Sequence, residues 1–205
     1  GLTNGTYEVF VTYLGDEVFY PSENTTSFNV VKYNSSIVIS DIDAVVGENV
    51  TVNVTGPSDA NGNVEIIIGE SKYTVVMSNG IATLNTTFAK HGIFTISAVY
   101  LGNDKYNGSI NESLAVVHPV TTSIVVNAAD IKVGENATVI VSVPSDATGI
   151  VTITVDGKSY NSTVFVGKAI FTIPDLINQT YNVVAEYSGD DKYDFNTNET
   201  TFNVF

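Results

Sequence analysis

The sequence predicts an all-β protein made of tandem β-sandwiches in a rod-like array. Three observations predict it. Apolar residues alternate at period two, turn signals recur roughly every 8–12 residues, and the chain repeats itself at a spacing of 87 residues. "VGEN" stands at 46–49 and 133–136, and "PSDA" at 57–60 and 144–147. Residues 34–117 and 121–204 share 30 identities over 84 positions without a gap, far beyond chance.

The elements follow in order. The first residues, "GTYEVFVTYLGDEVFYPSENTTSFNV", align at the same offset with "GIFTISAVYLGNDKYNGSINESLAVV" at 92–117 and predict two strands, 6–13 and 24–31. Two strands cannot bury an apolar face alone. Residues 1–32 are therefore expected to be the C-terminal part of a first unit, completed by chain that precedes Gly1 or by another copy. The second unit, 33–118, predicts strands near 35–40, 49–55, 63–68, 72–77, 80–87, 93–101 and 110–117. In "NVTVNVT" Val50, Val52 and Val54 share one face, and "GIFTISAVY" puts Phe94, Ile96, Ala98 and Tyr100 on another. "PSDANGN", "SNG" and "DGK" supply the turns. The third unit, 119–205, repeats the pattern, with Tyr181, Val183, Ala185 and Tyr187 facing inward. About seven short strands in some 85 residues is the pattern of an immunoglobulin-like sandwich, here without its cysteine pair or tryptophan. Only "KYNSS" (32–36) and "HPVTT" (118–122) join the units, which favours an extended, stiff arrangement.

Composition narrows the function classes. Twenty-two acidic residues face eight basic ones, all lysine, for a net charge of −14. Such a chain repels phosphate backbones and lacks arginine for bidentate contacts, so no nucleic-acid partner is expected. No apolar run is long enough to span a bilayer, so no membrane insertion is expected within this segment. The start carries neither a methionine nor a signal-peptide pattern, as an excerpt from a longer chain would. With no cysteine, disulfides and thiolate metal sites are excluded.

A strand ending in Y-x-G-D-x-x-Y, preceded by G-x-[FY]-x-[IV]-x-A and followed by an Asn/Ser/Thr-rich last strand, resembles the group 3 bacterial Ig-like repeats. It stands here as "YLGNDKY" (100–106) and "YSGDDKY" (187–193), with a degenerate "YLGDEVF" at 13–19. The Asn/Thr/Ser richness and acidity also look like adhesin-like surface proteins of methanogenic archaea. The resemblance implies stalks that project a binding tip from a cell surface.

Twelve N-glycosylation sequons are present, at Asn4, Asn24, Asn34, Asn49, Asn53, Asn85, Asn107, Asn111, Asn136, Asn161, Asn178 and Asn198, where random placement gives about 4. Several are expected to carry sugar, with Asn53 on an outward face. Asn24, Asn111 and Asn198 recur with the unit, as do Asn49 and Asn136. The acidic turn offers Asp104, Asp190 and Asp191, with Asp194, Asn103, Asn107, Asp16 and Glu17 nearby, as hard oxygen ligands for calcium. The spacing does not match an EF-hand loop. Asp104 and Asp191, alone in keeping type and position, are better explained as turn caps that accept backbone N–H groups. No metal or other cofactor is expected. Gly15, Gly102 and Gly189 are expected at positive φ. Tyr100 and Tyr187, to which Tyr13 is equivalent in position, end the inward face of a strand with the hydroxyl bonded to backbone, while Tyr106 and Tyr193 pack over the loop. A carbohydrate-stacking platform is the alternative for these rings.

No catalytic constellation is legible. His91 and His118 are not equivalent, no nucleophile elbow or phosphate loop occurs, and Lys105 and Lys192 sit in turns rather than in a core where an isopeptide crosslink forms. The expected function is that of a non-catalytic, glycosylated stalk segment of an extracellular adhesin or filament, in which antiparallel pairing of first and last strands resists extension. The alternative is ligand binding, to a cell-surface glycan or protein, through end loops such as 57–62 and 103–109. A third reading makes the units spacers for an enzyme domain outside this chain.

Overall fold

The computed structural model describes residues 1–205 and contains only strands and the loops between them. Strand β1 (Gly5–Tyr13) pairs with β2 (Ser22–Val30) in an antiparallel hairpin, in register from Gly5 opposite Val30 to Tyr13 opposite Ser22.

A first sandwich follows. One sheet has the order β3 (Val38–Ile39), β5 (Asn49–Thr55), β8 (Ile81–Thr87). The other has the order β4 (Ile42–Val45), β10 (Ser109–His118), β9 (Gly92–Tyr100), β6 (Gly62–Ile68), β7 (Ser71–Met77). Alternation in these strands turns Val52, Val54, Val64, Ile66, Ile96, Ala98 and Tyr100 inward, each with no exposed surface. Burying a valine or isoleucine in this way contributes ~1.5–3 kcal/mol. The second sandwich repeats the plan: β11 (Val125–Ala128), β12 (Ala137–Ser142) and β15 (Lys168–Ile173) in one sheet, and β14 (Lys158–Thr163), β13 (Ile150–Val155), β16 (Gln179–Tyr187) and β17 (Asn196–Val204) in the other. Its core joins Val139, Val141 and Phe171 from the first sheet to Ile153, Val183, Tyr187 and Phe202 from the second.

By contact, the chain divides into two compact units. One comprises Gly1–Ile42, Asn49–Thr86 and Ile93–Ala115, the other Asp43–Glu48, Thr87–Gly92 and Val116–Phe205.

Two expectations change. Of the strand expected over 35–40 only β3 is present, beside β5, and a further strand that was not expected, β4, lies beside β10 in the other sheet. The buried residues Ile37, Ile39, Ile42 and Ala44 show why: parity breaks between 39 and 42, where the chain crosses from one sheet to the other. Asp41 sits at that crossing and accepts the Ser113 hydroxyl at 2.8 Å. The pairing of the first segment with the last is also parallel rather than antiparallel, through bridges of Tyr33 with Tyr106, Val120 with Tyr193, and Ile131 with Val204. In a sandwich entered and left at opposite ends, the first and last segments run the same way.

Candidate functional site

The repeated motifs converge at one loop cluster in each sandwich. Gly102 and Gly189 hold φ of +79° and +71°, and Gly15 in the hairpin holds +80°. A Cβ on Gly102 would lie 2.6 Å from the Tyr106 carbonyl oxygen, so the turn excludes any side chain there. The residue after each glycine closes the turn. Asn103 Oδ1 accepts the N–H groups of Lys105 and Tyr106, Asp190 Oδ1 those of Lys192 and Tyr193, and Asp16 Oδ1 those of Val18 and Phe19, all at 2.8 Å. The capping role expected of Asp104 and Asp191 therefore belongs one residue earlier. An Asx turn needs its acceptor two and three residues before the N–H groups, and asparagine serves as well as aspartate.

The turn presents Lys105 and Tyr106 to the "PSDA" loop. Asp59 accepts Lys105 Nζ and, at 2.7 Å, the Tyr106 hydroxyl. In the second sandwich Asp146 accepts Lys192 Nζ at 2.6 Å and the Tyr193 hydroxyl at 2.7 Å. Each ammonium also lies over its neighbouring ring, 5.2 Å from the Tyr106 centroid and 4.9 Å from that of Tyr193. The lysines, then the tyrosine hydroxyls, hold Asp59 and Asp146 below the ordinary carboxylate range, and these carboxylates raise Lys105 and Lys192 in turn. Both pairs thus stay ionised, the reverse of the neutral amine and protonated acid that amide condensation between them needs.

The two clusters differ behind the turn. Tyr100 donates its hydroxyl to the Asn61 carbonyl at 2.9 Å, as expected. Tyr187, equally buried, makes no hydrogen bond, contrary to expectation. Thr148 replaces Asn61, and its N–H and hydroxyl are turned to Asp190 Oδ2, at 2.7 and 2.9 Å. Burial opposes ionisation of Asp190, but the N–H groups of Thr148, Tyr193 and Lys192 outweigh it and hold the carboxyl well below its usual range. Burial, followed by this carboxylate, pushes the Tyr187 hydroxyl up.

The candidate calcium ligands do not form a site. Asp190 spends both oxygens on the protein, and Asp191 pairs with Lys90 at 2.7 Å. Asp194 takes the N–H and hydroxyl of Thr122, at 2.7 and 2.6 Å, and Asp104 is exposed. No group of three or more His, Cys, Asp or Glu side chains could hold a metal ion. A surface depression of about 460 Å³, lined by Phe165, Val166, Lys168 and Ile170 among others, gathers no reactive groups.

The sequons differ in what their side chains bond. Asn49, Asn53, Asn136 and Asn178 are exposed, Asn53 on the outward face as expected. Asn85 and Asn161 accept the hydroxyls of Thr51 and Thr152 across a strand pair, Asn107 donates to Asn34, and Asn4 donates to the Val30 carbonyl. Asn111 and Asn198, by contrast, donate their amides to the first-segment carbonyls of Ile37 and Ile124, at 2.8 and 2.7 Å. Their recurrence has a structural cause, a bond between the first and last segments of each sandwich. Asp59 and Asp146 are the cluster residues that sequence reasoning missed. Both lie in a quoted repeat, 46 residues before an equally repeated lysine, and that shared separation was the available signal.

The model of the bacterial Ig-like domain (group 3) matches residues 38–118 and again 124–205. This chain belongs to that family. No curated protein matches it. Similar solved structures of tandem modules include the fibronectin(III)-like modules of Clostridium thermocellum CbhA, at 15% identity over 82% of this chain and 94% of that one, with a TM-score of 0.35. The Yersinia pseudotuberculosis adhesin InvE is 14% identical over 83% of this chain and 59% of that one, with a TM-score of 0.46. The titin domains Z1Z2 in complex with telethonin reach 12% identity over 86% and 98%, with a TM-score of 0.46. Outside the family matches lies the β1–β2 hairpin. No helix is long and apolar enough to cross a membrane.

Proposed function

We propose that the chain is a non-catalytic spacer segment of an adhesin-like or fibre-forming protein on the outside of a cell, of the kind its composition suggests for methanogenic archaea. The observation that carries this reading is the clamp between the first and last segments of each Ig-like domain. In the second sandwich it comprises the Val120–Tyr193 bridge, the Thr122–Asp194 bonds, and the Asn196 and Asn198 amides on the Thr122 and Ile124 carbonyls. Parallel segments that lead to opposite termini are loaded in shear when the chain is pulled, so these bonds break together rather than one at a time. The loop clusters support the same reading, since the groups that would meet a ligand are spent on one another.

The test is single-molecule extension. The expected trace shows two unfolding events, each releasing about 250–300 Å at roughly 3.6 Å per residue. Thr122→Val should lower the force of one event only. Unfolding without measurable resistance, or a selective micromolar ligand found on a glycan array, overturns the spacer reading. Glycans belong to the same proposal, on the exposed amides of Asn49, Asn53, Asn136 and Asn178 rather than on Asn111 and Asn198. Glycopeptide mass spectrometry of protein from a glycosylating host checks that division.

A further inference from the structure

The β1–β2 hairpin reproduces the strand register of β16–β17 at an offset of 174 residues, two repeats. Gly5 opposite Val30 through Tyr13 opposite Ser22 is the register of Gln179 opposite Val204 through Tyr187 opposite Asn196. Tyr7 stacks on Phe28 with centroids 5.6 Å apart, as Tyr181 stacks on Phe202 at 5.4 Å. The Thr6 hydroxyl donates to Asn29 Oδ1 at 2.7 Å, as Thr180 donates to Asn203. The Asn24 side-chain oxygen accepts the next N–H at 2.8 Å, as that of Asn198 does.

What differs is the covering. Val183, Tyr187 and Phe202 are buried, whereas their equivalents Val9, Tyr13 and Phe28 are 36, 43 and 45% exposed, and Tyr7, the equivalent of the buried Tyr181, is half-buried. The Asn198 amide reaches the Ile124 carbonyl of the first segment, and the equivalent Asn24 amide has no carbonyl opposite it. Asp16 Oδ2, whose equivalent receives Thr148, instead accepts the Tyr13 hydroxyl at 2.7 Å. The apolar face, the Asn24 amide and Asp16 are thus in place and unpartnered or turned aside, while Val18, Phe19, Tyr20 and Ser22 stand where Lys192, Tyr193, Asp194 and Asn196 meet the covering half.

We infer that the exposed face of the hairpin docks a half-sandwich equivalent to β11–β15, supplied by residues that precede β1 in the same polypeptide. The ungapped 87-residue spacing favours that source. In both complete sandwiches the hairpin follows its own covering strands directly, and a second copy has no strands to spare, since its β3–β8 and β11–β15 already cover hairpins of their own. The inference stands whether or not the units act as a surface spacer.

The test joins residues 121–174 directly to Gly1 of the full chain, which preserves the spacing, and follows amide hydrogen exchange in β1 and β2. In the 205-residue chain these amides should exchange fast, and in the extended chain at least ~100-fold more slowly, with Asn24 protected as Asn198 is. A second extension with residues 34–87 guards against a mismatched core. If neither extension protects the hairpin while the second sandwich stays protected, the inference fails. It fails equally if the 205-residue chain alone forms a concentration-dependent dimer with a protected hairpin, which would make the occupant a second copy.

Discussion

Asp190 and Asn103 occupy the same turn and do the same work with different charge. Each caps two N–H groups, but only Asp190 also receives Thr148. Its depressed pKa, like those of Asp59 and Asp146, means that folding binds fewer protons near pH 4 than the unfolded chain does. The stability so contributed is complete above the unfolded value near ~3.9 and drains as pH falls through the lower folded value. The urea midpoint should therefore stay level from pH 7 to about 5 and fall below about pH 4. In Asp190→Asn that acid decline should flatten for the second sandwich, because the amide keeps the cap and has no proton to gain. An unchanged decline would assign the acid sensitivity to other carboxylates.

Among the elements, the two tight turns that precede equivalent strands β8 and β15, each closed by one isolated bridge, carry opposite chemistry. Asn79 holds φ of +49° in one and Val166 holds +48° in the other. Asparagine tolerates the left-handed region, whereas a β-branched side chain there is a genuine outlier. Val166 is also 69% exposed, so no packing offsets the strain. Val166→Asn should stabilise the second sandwich by about 1 kcal/mol, read as a higher urea midpoint with unchanged slope. The turn between β9 and β10 was legible from its residues, because positive φ and Asx capping are settled within five positions. The capping residue itself was misplaced by one, since identity across repeats pointed to Asp104 and Asp191 while the geometry accepts either asparagine or aspartate at 103 and 190. The crossing between β3 and β4 was written in the burial parity of Ile37, Ile39, Ile42 and Ala44, yet a single apolar run hides such a shift until the partner sheets are known.

For the molecule as a whole, burial separates otherwise identical structures. Phe202 is enclosed by the second core and Phe28 lies open on the same kind of strand. Phe202→Ala should cost the second sandwich about 3–5 kcal/mol. Phe28→Ala should leave both sandwiches of the 205-residue chain unchanged, with chemical unfolding of each variant as the measurement.

The repeat, most of the strands and the inward residues follow from the sequence by itself, because period-two alternation and turn residues act over a few positions and the 87-residue spacing compares them three times. Tertiary structure alone decided the pairing of Asp59 with Lys105 and Asp146 with Lys192, the parallel clamp at Val120, and the role of Asn111 and Asn198. Each of these joins residues 46 to 74 positions apart. Local preference carries no term for such a distance; it becomes a contact only when two sheets close on one core.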